Sequence, residues 1–497
     1  MHIDKFYKDS FILTAANLFT GIIGFIFSII LSRELGPQGL GLYGLIMPVY
    51  SLVLCLACDG LITAVSKVTA IYRSKNDSRN LRRSVSTISF FIFLWSLSIA
   101  LLVLLFSNII GTSLIDDQRS IPALRIICPA IVFVSLSAIL KGYFYGFDRY
   151  KTAAYIDIIE KVLRVTVLLA VLALLTVKSI KSTVSAAYFS LMVGEFMSFV
   201  LLYSFYKRNK SSSIGFKSKP QARIQLLFNI LIISYPLCIN GFLSSILSTA
   251  STLILPRRLV FAGIPYEQAL ALIGKFLGMA VSITYLPIII INSVTTVLVP
   301  DLSINASKNN FWALESRIKQ VFKIACFVGT CTLIINLSVP KALGMLFYSR
   351  TDLGGMIAFA SLATVLSFVS APTFGMLNGL GKQNIVLRNS LIISILGLIL
   401  IYIFTGIPEL NIYGYGIVMF LIAITALVLN IREIKKACDF QFPILEALIY
   451  LISGILTFIL ISILNGLIPE SLIVIKIIST AFLSFVLVYF LSRLAQD

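Results

Sequence analysis

Residues 85–107 read Val85-Ser-Thr-Ile-Ser-Phe-Phe-Ile-Phe-Leu-Trp-Ser-Leu-Ser-Ile-Ala-Leu-Leu-Val-Leu-Leu-Phe-Ser107, without one ionisable side chain. Arg82 and Arg83 stand just before the run, and the next charges after it are Asp116 and Asp117. At about 1.5 Å per residue such a run crosses a hydrocarbon core about 30 Å thick. Lipid offers no partner to backbone N–H and C=O groups, so the segment must satisfy them itself, as a helix does. Comparable runs fill the chain on both sides: 11–32, 41–66, 122–146, 152–175, 183–206, 226–255, 269–297, 318–340, 354–380, 386–406, 411–431, 443–465 and 472–492. The reading is an all-α polytopic membrane protein of about fourteen spans.

Composition agrees. Hydrophobic residues make up 58% of the 497 and charged residues 12%, about half the charged share of soluble domains. The net charge of +19 would suggest nucleic acid in a soluble chain. Here it sits in short basic stretches between spans, Arg73 to Arg83 and Lys207 to Arg223, so it reads as membrane orientation and no nucleic-acid partner is expected. An even span count puts both termini on one side. With the N-terminus inside, inner segments hold 23 of the 40 Lys and Arg and outer loops hold 8, the other 9 lying within spans; Lys178 and Lys181 run against the bias. Both termini are therefore expected in the cytoplasm, in a plasma-membrane protein. Lys5 and Lys8 precede the first run, which reads as a retained helix.

Several chemistries are excluded. The single histidine, His2, removes Ser-His-Asp, Cys-His and HExxH sites. Cys55 and Cys58 form a CxxC within an apolar run, and Cys128, Cys238, Cys326 and Cys331 lie in similar runs; all read as apolar filler, with no metal or cofactor expected. Gly379-Leu-Gly-Lys382 lacks the first glycine of a P-loop. Asn76-Asp-Ser78 and Asn305-Ala-Ser307 match the glycosylation pattern by accident, in inner loops. Asp116-Asp117 is the one carboxylate pair that would suit a glycosyltransferase, with no sugar or metal site near it.

Internal repetition predicts the architecture. Leu136-Ser-Ala-Ile-Leu-Lys-Gly-Tyr-Phe-Tyr-Gly146 is matched by Val369-Ser-Ala-Pro-Thr-Phe-Gly-Met-Leu-Asn-Gly379: Ser137, Ala138, Gly142 and Gly146 fall on Ser370, Ala371, Gly375 and Gly379. With five residues inserted, Ile30 to Gly44 falls on Leu255 to Gly274 and Arg33 on Arg258. Both matches carry a span onto the sixth one after it, so the repeat is parallel. The expected domains are an N-terminal lobe (1–206), a basic cytoplasmic linker (207–225), a C-terminal lobe (226–431) and a C-terminal helix pair (432–497). Pro48, Pro129, Pro236, Pro287 and Pro372 lie within spans and are expected to kink them.

Charges inside spans need a reason, since each costs about 2.5–3.5 kcal/mol on the insertion scale. Asp157, Glu160, Lys161 and Arg164 share one face of span 5, with Asp157–Lys161 and Glu160–Arg164 expected to pair at i+4. Lys141, Lys275, Arg33 and Arg258 are further cavity candidates. Asp59 and Glu195 are candidates for ion coupling. A cavity rich in Lys and Arg suits phosphate; the rival reading is ion pairing that locks the bundle.

The ordered set Leu31-Ser-Arg-Glu-Leu-Gly-Pro-Gln-Gly-Leu-Gly-Leu-Tyr-Gly44, Met47-Pro-Val-Tyr-Ser-Leu52, Ala64-Val-Ser-Lys67, Lys141-Gly-Tyr-Phe-Tyr-Gly146, Ile159-Glu-Lys-Val-Leu-Arg164, Ile254-Leu-Pro-Arg-Arg-Leu259, Leu298-Val-Pro-Asp-Leu-Ser303 and Pro408-Glu-Leu-Asn-Ile-Tyr-Gly414 resembles the stage V sporulation protein B branch of the multidrug/oligosaccharidyl-lipid/polysaccharide exporter superfamily, which is related to lipid II flippases. The resemblance implies fourteen helices in two lobes around a cavity, alternating access, and a lipid-linked cell-wall or polysaccharide precursor as substrate, carrying a pyrophosphate and an isoprenoid tail, as in spore cortex assembly. It places Arg33, Glu160 and Arg164 at or near the cavity. Membrane lipids, and wall-synthesis enzymes, are the partners it suggests. The chain departs from the pattern at Gly21 and Ser28, where arginines are usual, at Ile62, where proline is common, and at the added Asp59. Alternatives on the same sequence are a cation-coupled small-molecule exporter and a non-transporting scaffold for wall synthesis.

Overall fold

A computed structural model describes all residues except Met1, 176–178, 211–219, 309, 439–442, 468, 470–471 and 495–497. Lys178, Lys217 and Lys219, and with them most of the expected 207–225 linker, lie outside the described residues. The described chain is helical: α1 (His2–Cys58), α2 (Leu61–Ser74), α3 (Ser78–Leu105), α4 (Ile121–Gly146), α5 (Tyr150–Leu174), α6 (Ile180–Lys210), α7 (Arg223–Phe261), α8 (Tyr266–Tyr285), α9 (Ile288–Ser307), α10 (Phe311–Ser338), α11 (Pro340–Tyr348), α12 (Gly354–Gly379), α13 (Gln383–Phe404), α14 (Tyr413–Cys438), α15 (Ile444–Leu467) and α16 (Ile473–Leu494).

Among the described residues, twelve segments are long and apolar enough to cross a membrane. The two further expected spans are present in another form. Spans 1 and 2 run together in one segment, Ala15–Ser74. Span 5 is α5, which Asp157, Glu160, Lys161 and Arg164 keep from passing as apolar. Within α1 the helix is interrupted at Gly36 (φ 64°, ψ 180°); the next residue is Pro37, which disfavours helical backbone before it, and the positive φ suits glycine. The expected single span 269–297 is instead divided between α8 and α9, with turns at Leu286 and Pro287, because Pro287 cannot donate its backbone bond. Pro129 and Pro372 stay inside α4 and α12.

The repeat extends far beyond the four residues that reveal it. α3 and α10, α4 and α12, α5 and α13, and α6 and α14 each begin 233 residues apart. Asp77 caps α3 by accepting from Asn80 N–H, and Asn310 caps α10 by accepting from Ala313 N–H, at the same offset. Left-handed turns at Asp116 and Asp148 recur at Ser349 and Gly381. The packing repeats too. A Cβ on Gly142 or Gly146 of α4 would strike α2, at Ile62 O (2.8 Å) and Ser66 O (2.7 Å). Gly375 and Gly379 of α12 stand against α9 in the same way, at Thr295 and at Val299 O (2.9 Å). These small-xxx-small faces let helix backbones approach closely where lipid supplies little hydrophobic driving force.

The chain forms two compact units. The first comprises residues 1–27 and 42–253, and the second comprises 28–41 and 254–497. The first packs around Leu61, Val65, Ile88, Ile139, Phe144 and Leu202, and takes Leu226 and Ile230 from the beginning of α7. The second packs around Leu298, Leu302, Phe322, Met376 and Ile434; α15 and α16 join it through Ile461 and Val488 against Cys331 and Ile334 of α10. The 28–41 segment is held in the second unit by close backbone approach, Gly41 against Leu270 and Gly274 against Pro37.

Candidate functional site: a buried charge cluster in the first unit

The structure gathers Lys141 of α4, Asp157, Glu160, Lys161 and Arg164 of α5, and Glu195 of α6 within the first unit. Asp157 lies across from α4 and pairs with Lys141 (2.6 Å). Lys161 bends back to its neighbour Glu160 (2.9 Å). The expected i+4 pairs are therefore not the ones formed: α4 offers Asp157 a cation across the helix interface, and Lys161, one residue from Glu160, folds its long stem toward the polar stripe. Among the described residues Arg164 makes no ion pair with Glu160, though it stays within its electrostatic reach. Its Nη2 donates to Tyr43 Oη (3.1 Å), and its guanidinium lies over the Phe27 ring, 4.6 Å from the centroid.

Tyr43 stacks on Tyr188 (4.9 Å between centroids), and Tyr188 Oη donates to the Tyr43 carbonyl (2.9 Å). Glu195 lies within electrostatic reach of Glu160, Lys141, Lys161 and Arg164, and Tyr50 within reach of Glu195, Arg164 and Glu160. The cluster thus holds three cations and three carboxylates. Among the described residues, three of its buried polar atoms have no hydrogen-bond partner: Glu160 Oε1, Arg164 Nε and Tyr50 Oη. Glu160 is 4% exposed and Tyr50 6%. Leaving such atoms unmade costs about 1–3 kcal/mol each, and the set offers both a donor and acceptors to an incoming group. Gly194 clears room beside it, since a Cβ there would stand 3.1 Å from Glu160 Oε1.

The remaining candidates stand apart. Asp59 accepts from Gly60 N–H (2.9 Å), near Cys55 and Cys238 rather than the α5 stripe. Arg33 and Arg258, the pair matched by the repeat, have like roles in the second unit. Arg33 donates to the carbonyls of Phe347 and Leu346 at the end of α11 (both 2.8 Å). Arg258 donates to the Tyr402 carbonyl near the end of α13 (2.8 Å) and stacks on Phe261 and Tyr402. Each satisfies helix carbonyls that lack intrahelical partners. Lys275 pairs with Asp352 (2.7 Å), whose carboxyl is held well below the usual range by its hydrogen bond from Arg350 and then by Lys275.

Sequence reasoning missed the aromatic companions Phe27, Tyr43, Tyr50 and Tyr188, since one tyrosine in an apolar run looks like any other. It also missed a neutral network in the second unit, where Asn389 donates to Asn430 (2.8 Å) and Asn430 to Thr373 (2.8 Å), all buried. Asparagine within an apolar run was the available signal.

Residues 6–306 match the family model described as polysaccharide biosynthesis protein. The chain belongs to that family. Curated relatives of the chain include stage V sporulation protein B of Bacillus subtilis (strain 168), 23% identical over 443 residues, covering 89% of this chain and 86% of the relative. Lipid II flippase MurJ of the same organism is 22% identical over 430 residues, covering 80% and 76%. Among solved structures, lipid II flippase MurJ in an inward closed conformation superposes with a TM-score of 0.74 at 15% identity, covering 96% of this chain and 97% of that one. An inward-facing multidrug resistance MATE family transporter of the MOP superfamily gives 0.65 at 17%, covering 86% and 98%. The fold of this family member is that of these transporters, as the ordered sequence segments imply.

Proposed function

We propose that this protein carries a lipid-linked cell-wall or polysaccharide precursor across the cytoplasmic membrane by alternating access, as a transporter and not an enzyme, with both termini in the cytoplasm. The observation that carries this reading is the buried cluster around Arg164, whose unpartnered donor and acceptors stand ready inside a multi-span fold similar to a lipid II flippase. An intramembrane cluster of ionisable groups is costly and marks a transport path by default. Arg164 would donate to an anionic oxygen of the substrate through Nε, while Tyr43 and Phe27 hold the guanidinium. Gly21 and Ser28 leave α1 without the arginines usual there, so the α5 stripe would take a larger share of anion binding than in relatives. Arg33, Arg258 and Lys275, already engaged at helix ends and with Asp352, would shape the second unit and touch substrate only after rearranging. A place in sporulation is in keeping with the name of one relative; spore cortex assembly and a surrounding set of wall-synthesis enzymes are what the family resemblance suggests.

The test is native mass spectrometry of the purified protein with undecaprenyl-pyrophosphate-linked precursors, against excess bulk anionic lipid. Binding should survive the competition and fall at least about tenfold in Arg164→Glu, with membrane levels of the protein unchanged. Binding no stronger than bulk lipid, or equal binding by the variant, would overturn the reading.

A further inference from the structure

Asp59 stands at the end of α1, next to the left-handed turn at Gly60 (φ 74°). It lines a cavity of about 760 Å³ within the first unit, bounded by α1, α3 and α7. The rest of the lining is almost wholly apolar and rich in rings: Phe91, Trp95, Phe228, Tyr235 and Phe242. Among the described residues, no cationic side chain pairs with the half-buried Asp59 carboxylate, which accepts from the Gly60 N–H. Its second oxygen, Oδ2, lies against Gly241 of α7, where any Cβ would overlap it. Glycine at 241 therefore keeps the carboxylate in the wall of the cavity. Trp95 (44% exposed) and Tyr235 (67% exposed) line it and open to the surface.

We propose that this cavity is a second binding site, for a lipophilic organic monocation. The cavity falls within the ordinary size range of small-molecule sites, about 300–1,000 Å³. A carboxylate within an apolar wall, held by one backbone N–H and no cation, is poorly compensated, and a ligand cation would complete it. Aromatic faces attract cations, and most strongly where water is excluded. An apolar ligand body fits the apolar lining, and an anionic lipid phosphate is repelled by Asp59. No described residue of α5 or α6 lines this cavity, so the failure of the Arg164 reading and the failure of this one are distinguishable.

The chain has two tryptophans, Trp95 and Trp312. In a Trp312→Phe background, Trp95 reports directly on the cavity. Tetraphenylphosphonium titrated into the purified full chain should quench Trp95 saturably, and uncharged triphenylphosphine oxide should not. Asp59→Asn should weaken the cation at least about tenfold, and Gly241→Ala, which displaces the carboxylate, should weaken it similarly. Equal quenching by the uncharged compound, or an Asp59→Asn variant that binds the cation as the parent does, would overturn the proposal and leave an ordinary lipid-facing groove. Should Asp59→Asn fail to fold, the comparison of charged with uncharged probe in the parent, together with Gly241→Ala, decides the question.

Discussion

Arg164 and Lys141 differ in what removing their charge would do. Lys141 is matched by Asp157 at 2.6 Å, so truncating either one leaves a poorly solvated charge unpaired, which costs about 3–5 kcal/mol where the pair is fully buried and less here, with the two side chains 22% and 32% exposed. Lys141→Ala and Asp157→Ala should each lower the thermal unfolding midpoint, while the reversed pair Lys141→Asp with Asp157→Lys should recover most of the loss. A double variant no better than the singles would show that the two residues do not act as a pair. Arg164, by contrast, is held by a neutral tyrosine and a ring, and its replacement should spare the fold more than the binding. The sequence showed which residues carry charge within the membrane, because ionisable side chains stand out in apolar runs. It could not show their partners, since Lys141 and Asp157 are brought together by helix packing and not by spacing along one helix.

The glycine faces set helix spacing. Gly146→Val would drive a side chain into Ser66 O and Thr69, and Gly379→Val into Val299 O and Leu302. Overpacking of this kind costs about 1–3 kcal/mol, so both variants should unfold at lower temperature in detergent, and by similar amounts if the two faces are equivalent. Gly355→Ala is the control, because nothing lies within 4 Å of its missing Cβ, and it should be neutral or mildly stabilising. Unchanged stability in both valine variants would mean the helices can part without loss. Here the sequence was unusually legible: four small residues, repeated without a gap, announced an offset that the caps, turns and helix starts all keep. What it concealed was the break of the expected eighth span at Pro287, because a proline within an apolar run is compatible with a kink, a stop or an undisturbed helix, as Pro129 and Pro372 show.

For the molecule as a whole, the apolar runs made the span number nearly readable; the departures are the joining of spans 1 and 2, the charges carried by α5 and the break at Pro287. Orientation rests on the Lys and Arg bias alone and can be tested directly. Asp116→Cys, in an expected outer loop, should react with a membrane-impermeant maleimide in intact cells, and Asn76→Cys, in an expected inner loop, only after lysis. The reverse pattern would invert the topology and move the opening steps of transport to the other face.

The division of the chain between its units also bears on how the protein is made. The first unit is incomplete until residue 253 has left the ribosome, because the beginning of α7 contributes Leu226 and Ile230 to its core. The second cannot finish without residues 28–41, which are synthesised among the earliest. Neither half is a self-sufficient product of its own stretch of message, so the early helices must wait in the bilayer for partners translated hundreds of residues later, and a chain cut at the basic linker would yield two fragments each lacking a piece of its interior.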